Sequence, residues 1–263
     1  MTARPTGNDE ELARARVELT LALRIAARHD LHEGIDNHFS IALDAERFLV
    51  NSYGKHWSEI CPGDILEVDP DGTVLSGTGH WDIAAFTIHR AAHAARPDAR
   101  AVFHTHMTQA TAVANTAESL DTRLTQSAMY FHGRVSTLDF DGLATAEEEG
   151  RRLERAFAGG TSAVMMRNHG VLAIGANIPD AWHKLYMLER ACAVQVATYA
   201  QGREVVRVSE QVAAKTSAQW LQFEEETAEL LFEAEVRVLA RDCPEVAEWR
   251  QSVAAEQRIA VLR

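Results

Sequence analysis

Cysteine is scarce: the 263 residues contain three, Cys61, Cys192 and Cys243, with no metal-binding or redox spacing among them. That excludes a disulfide framework and a thiolate metal cluster, and points to a reducing, cytoplasmic setting. Long apolar runs are missing as well. None approaches the ~20 residues that a bilayer span needs. The opening Met1-Thr2-Ala3-Arg4-Pro5 leads into polar residues rather than the apolar stretch of a signal peptide. Positive charge is in deficit, with 26 Lys and Arg against 38 Asp and Glu, a formal net charge of −12. An acidic surface argues against nucleic acid and anionic membranes as partners, while a local basic pocket for a small anion stays open. Repeats and low-complexity tracts are absent, and no shift in composition marks a domain boundary. Residues 1–8 read as a disordered arm and 9–263 as a single domain.

What the chain has is a large apolar fraction, 46%, enough for a sizeable core, and two stretches that end in histidine. Ala101-Val102-Phe103-His104-Thr105-His106 has the composition of a buried strand. Side chains alternate along a strand, so His104 and His106 share a face about 6.6 Å apart along the backbone. Such a pair either converges on a divalent metal or forms a hydrogen-bonded couple in the core. Ser162-Ala163-Val164-Met165-Met166-Arg167-Asn168-His169-Gly170 is a second apolar strand closing on a histidine, and its glycine is expected to let the backbone turn tightly. Three histidines from two strand ends make a metal site of the open, catalytic kind, with places left for water or substrate.

The remaining elements follow from periodicity and turn chemistry. A helix is predicted to about residue 29, then strands over 37–43 and 47–51, and a hairpin over 64–75 around Asp71-Gly72. Helices are predicted over 82–95 and 109–115, a short strand over 134–138, and a helix from 145 to about 158. A return strand over 171–175 precedes helices over 178–200 and 209–240, and the tail ends in a short amphipathic segment over 247–261. Strands in the first two-thirds with helices interleaved and trailing predict an α/β fold, a three-layer α/β/α sandwich on a mixed or antiparallel sheet.

Taken together, Asp36-Asn37-His38-Phe39-Ser40, Val50-Asn51-Ser52-Tyr53-Gly54, Arg96-Pro97-Asp98-Ala99, His104-Thr105-His106 and Arg167-Asn168-His169-Gly170 resemble the class II aldolase/adducin superfamily over about residues 9–240. The resemblance implies an α/β/α sandwich, usually a homotetramer with active sites between subunits. It implies that His104, His106 and His169 ligate a divalent metal, commonly zinc, with manganese or iron(II) in some branches. The departures are informative. The family's sugar-phosphate aldolases carry a carboxylate nineteen residues before the first histidine of the pair, preceded by phosphate-binding serines. Here that position is Ala85, after Ile83 and Ala84, which offer no side-chain donor to phosphate. The aspartate of the epimerases is missing from the same place. Ala84-Ala85-Phe86-Thr87-Ile88-His89 is instead similar to the branch that holds the adducin head domain, decarboxylases and aldolase-like iron oxygenases.

Candidate residues around the metal follow from the same resemblance. His38 is a candidate catalytic group or a structural histidine. Asn37 and Ser40 lie where the family meets substrate oxygens, and Tyr53 and Gly54 on a turn that contributes anion contacts. Gln126, Tyr130 and His132 lie where the aldolases place a tyrosine that reaches a neighbouring site, although Tyr130 is out of register with it. Asp82 is either a displaced acid/base group or the N-cap of the next helix. His89 and His93, at i and i+4, pack behind the ligands or bind metal themselves. The expected function is metal-assisted C–C cleavage, by decarboxylation or retro-aldol reaction, of a small non-phosphorylated hydroxy, oxo or aromatic carboxylic acid. The alternatives are a non-haem iron(II) oxygenase, a sugar-phosphate aldolase or epimerase, and a non-catalytic module of adducin type.

Overall fold

The computed structural model describes residues 7–98, 100–142 and 147–261. Residues 1–6 of the expected arm, Ala99, and residues 143–146 at the start of the expected acidic helix lie outside them. Gly7 and Asn8, placed in the arm by the sequence, already belong to the first helix, α1 (Gly7–Arg28).

Eight strands form one sheet: β1 (His38–Ala42), β2 (Phe48–Asn51), β3 (Ile65–Val68), β4 (Val74–Ser76), β5 (Ala101–Thr105), β6 (Val135–Leu138), β7 (Ala163–Met166) and β8 (Gly170–Gly175). Their order is β4-β3-β2-β1-β5-β8-β7-β6. Every neighbouring pair is antiparallel except β6 with β7, so the sheet is mixed. The strands at its centre, β1, β5 and β8, are buried on both faces, which is why they read as apolar runs.

Alternation divides the core in two. Phe39, Ile41, Leu49, Phe103, Met165 and Ala173 join the larger cluster, which is completed by α1 and α6 (Ile178–Tyr199). Phe39 and Phe103 stack across β1 and β5 with ring centroids 3.8 Å apart. Val102, Val164, Leu172 and Ile174 face the other way, onto Ile88 of α2 (Ile83–Ala95) and Leu153 of α5 (Glu147–Ala156). Helices therefore cover both faces, and the three-layer expectation holds. α3 (Thr108–Ala114) and the short α4 (Gln126–Met129) lie on the α6 side.

One expected helix is two. The 209–240 segment divides into α7 (Glu210–Leu221) and α8 (Glu224–Asp242). The break has no Gly or Pro; tight i→i+3 bonds from Gln222 and Phe223 close α7. The corner lets Trp220 reach the Tyr130 ring while Phe232, Val236 and Leu239 enter the core. α9 (Glu245–Val261) packs back on α1. All three cysteines are free, and among the described residues no helix is long and apolar enough to cross a membrane.

A candidate metal centre at the ends of two strands

β5 ends at Thr105, one residue before His106, so the two histidines do not both sit in the ladder. They converge nonetheless, and His169 joins them from the turn between β7 and β8. One ligand nitrogen from each of His104, His106 and His169 lies within 4.8 Å of the others. The ring centroids are 4.8–5.0 Å apart.

The turn that delivers His169 is built differently from expectation. The left-handed residue is Asn168, at φ 57°, a conformation asparagine tolerates better than most residues. Its amide donates to the Asn115 side chain. Gly170 is required for another reason. A Cβ there would stand 2.5 Å from the Thr105 carbonyl oxygen and 2.7 Å from His106 Cδ2. Gly170 thus leaves room for the His106 ring, and its φ is not left-handed.

Hydrogen bonds determine which nitrogens are available. His104 Nδ1 lies 3.0 Å from the Val171 carbonyl, and His106 Nδ1 lies 2.5 Å from a Glu33 carboxylate oxygen. Both partners only accept, so each Nδ1 carries the hydrogen and each Nε2 is left with a lone pair. Those two Nε2 atoms face each other at 3.1 Å. Two lone pairs at that distance repel unless a cation lies between them, and outward-bound Nδ1 atoms are the usual support of metal-ligating histidines. Burial, followed by the neighbouring histidines, holds His104 well below the ordinary histidine range and pushes His169 down to about 4. Those two rings are therefore neutral at neutral pH, the form in which an imidazole can bind a metal.

Asn37 connects the parts. Its side-chain oxygen accepts from the backbone of Glu33 at 2.7 Å and of His106 at 3.3 Å, while its Nδ2 is buried without a partner. Asn51 accepts from Phe39 N and donates to the Asn37 carbonyl. Tyr53 stands at the rim, its hydroxyl 3.5 Å from Asp36, with Gly54 beside it on an exposed left-handed turn.

His38 lies beside His104, the rings tilted with centroids 4.8 Å apart, and its Nδ1 lies 2.7 Å from His89 Nε2. From there the chain continues through Ser40 Oγ, 2.5 Å from His89 Nδ1 and 2.8 Å from His93 Nε2. Burial holds both His38 and His89 well below the usual range. Ser40, read from the sequence as a substrate contact, is fully buried and links two histidines instead. His89 supports His38 rather than a metal ligand.

Other candidates stand apart. Asp82 uses its carboxylate to cap α2, accepting from Ala84 N at 3.0 Å. Tyr130 is fully buried among α4, α6 and α7; its hydroxyl donates to Glu224 and its ring lies 5.2 Å from His183. Burial first and then the Glu224 charge push its phenol pKa up. His132 bonds Thr122 and faces Glu210, and Gln126 is exposed, its carbonyl taken by the Trp220 indole. Glu33 escaped the sequence reading; nothing in the local pattern around it differs from an ordinary acidic loop.

The sequence model described as "Class II Aldolase and Adducin N-terminal domain" matches residues 17–196. The chain belongs to this family. A putative aldolase class 2 protein of Caulobacter vibrioides is 37% identical over 76% of this chain and 78% of its own length. Decarboxylase NovR of Streptomyces niveus is 30% identical, with 73% of each chain covered. The crystal structure of an aldolase II superfamily protein from Pseudomonas syringae superposes with a TM-score of 0.83 at 32% identity, covering 91% of this chain and 96% of that one. Within the class II aldolase family, the segments around Asn37, Asn51 and Asn168 acquire physical reasons here: they hold the loops that bring Glu33, His106 and His169 to one place.

Proposed function

We propose that the chain is a metal-dependent lyase that breaks a carbon–carbon bond in a small, non-phosphorylated hydroxy, oxo or aromatic carboxylic acid. The observation that carries this reading is the pair of facing Nε2 lone pairs on His104 and His106, with His169 beside them. These three residues would hold a divalent ion, zinc first, with manganese or iron(II) as alternatives. Such an ion, when bound, supplies Lewis-acid stabilisation to the electron pair released by C–C cleavage.

The chain's own groups do the rest. Asn37 Nδ2, buried and free, is a donor for a substrate oxygen. With Nδ1 committed to His89, the nitrogen left to His38 for proton exchange with substrate is Nε2. Two polarisations satisfy the whole His38–His89–Ser40–His93 chain, one with a hydrogen on His38 Nε2 and one with a lone pair there. Reversing the chain takes the hydrogen off His38 Nε2 and adds one at His93 Nδ1, so each transfer at the substrate end is matched by one at the far end of the relay. Tyr53 lines the rim, which a second copy of this chain would close in a homo-oligomer.

The start of α2 supports a substrate without phosphate. Ile83, Ala84 and Ala85 offer no hydroxyl, and the Asp82 carboxylate occupies an amide that an anion would need and adds negative charge there. Ala85 also leaves α2 without a carboxylate to deprotonate a hydroxyl. Decarboxylation needs no such base, and a relative named as a decarboxylase agrees with that branch.

The test has two stages. Protein purified without added ions is expected to carry one divalent metal per chain, lost in His104→Ala and His169→Ala; equal metal content in the variants overturns the centre. The metal-loaded protein is then screened against hydroxy- and oxo-carboxylates for CO₂ or aldehyde. Oxygen consumption with iron(II) in place of either product would overturn the lyase assignment in favour of an oxygenase.

A further inference from the structure

Glu33 is the one carboxylate, among the described residues, that hydrogen-bonds a histidine of the candidate centre. It comes from the loop between α1 and β1, 73 residues from His106 in sequence. Its backbone is held: Glu33 N donates to Asn37 Oδ1, the same atom that accepts from His106 N, so one amide oxygen ties the loop to the ligand's own main chain. Its side chain is otherwise open, 66% exposed. The two anchored ligands thus differ. His104 leans on a neutral carbonyl and His106 on a full negative charge.

Resting on the metal-centre reading, we infer that Glu33 is a positioning residue for the metal ligand His106 and supplies the centre's nearest negative charge. Three neutral imidazoles would leave a divalent ion's charge uncompensated by its ligands. α2 offers no carboxylate at Ala85 to reduce it. A carboxylate on Nδ1 fixes the tautomer that frees Nε2, orients the ring, and makes Nε2 a better electron-pair donor. A carbonyl achieves the first two effects more weakly and adds no charge. The compensating anion therefore acts from behind His106, leaving the open side of the three-nitrogen cluster for substrate.

The experiment compares wild type, Glu33→Gln and Glu33→Ala. Each is stripped of metal and titrated with zinc against a chromophoric chelator, and the melting of each metal-free protein is recorded. Gln keeps an acceptor for Nδ1 but removes the charge; Ala removes both. Expected zinc affinity falls in the order wild type, Gln, Ala, with the Ala variant about 10–100-fold weaker, while metal-free melting temperatures stay equal because the side chain is exposed. Wild-type affinity in Glu33→Ala overturns the inference. Wild-type affinity in Glu33→Gln overturns the part played by charge, and an equal loss of metal-free stability shows a structural role instead. Failure of the wild type to bind zinc, manganese or iron(II) would overturn the metal-centre reading itself.

Discussion

Replacing Gly170 with alanine adds one methyl group where the structure has no room for it. The new Cβ would meet the Thr105 carbonyl oxygen at 2.5 Å, His106 Cδ2 at 2.7 Å and His106 Cα at 3.3 Å. Carbon atoms in good contact stand roughly 3.5–4.0 Å apart, so the His106 ring is close to 1 Å too near. Thr105 cannot yield easily, because it is paired with Val171 in the β5–β8 ladder. His106 must move or β8 must shift. Overpacking of this kind costs about 1–3 kcal/mol, and for a chain near this size each kcal/mol lowers Tm by roughly 2–4 °C. Gly170→Ala should therefore melt roughly 2–12 °C below wild type by these same scales. Zinc affinity should fall as well, because metal–ligand distances tolerate only about 0.2 Å. The control is Gly63→Ala, where a Cβ meets nothing within 4 Å and φ is not left-handed. Differential scanning calorimetry and chelator competition read both effects. If Gly170→Ala behaves like Gly63→Ala in both, the close approach of β8 to His106 does not exist as described.

Stability of the metal-free protein should depend on pH through the buried histidines. Burial holds His169 near 4, whereas an unfolded histidine titrates near ~6.5. Between those values the unfolded chain binds the extra proton, so stability falls on acidification, by up to ~1.4 kcal/mol per pH unit for each such histidine. Urea midpoints from pH 7 to 4 should show this slope, and a shallower one in His169→Ala; identical slopes would contradict the partial burial of that ring. Tyr130→Phe removes a hydroxyl from Glu224 and should cost ~1.5–3 kcal/mol, the range for hydrogen bonds to charged groups, with Lys184 and Arg134 still facing the carboxylate. Zinc affinity should be unchanged. A variant that keeps its stability but loses metal would place Tyr130 at the centre after all.

Local pattern made much of this protein readable. Apolar alternation located the strands, the Asp-Gly turn the β3–β4 hairpin, and helical spacing the long α6, because period and turn chemistry are properties of neighbouring residues. His104, His106 and His169 were legible for the same reason: each lies in, or within three residues of the end of, an apolar strand. Three features were decided elsewhere. The α7–α8 corner has no breaker residue and exists because Trp220 and Phe232 bury in different places. Gly170 matters through what crosses it, not through its own φ. Glu33 reaches His106, and His89 reaches His38, across 73 and 51 residues, and neither pairing leaves any periodic trace. Sequence alone thus determined which strands exist and which imidazoles lie near their ends. Tertiary structure decided which nitrogen of His104 and of His106 is free, since that depends on the carbonyl or carboxylate that folding brings to the other one.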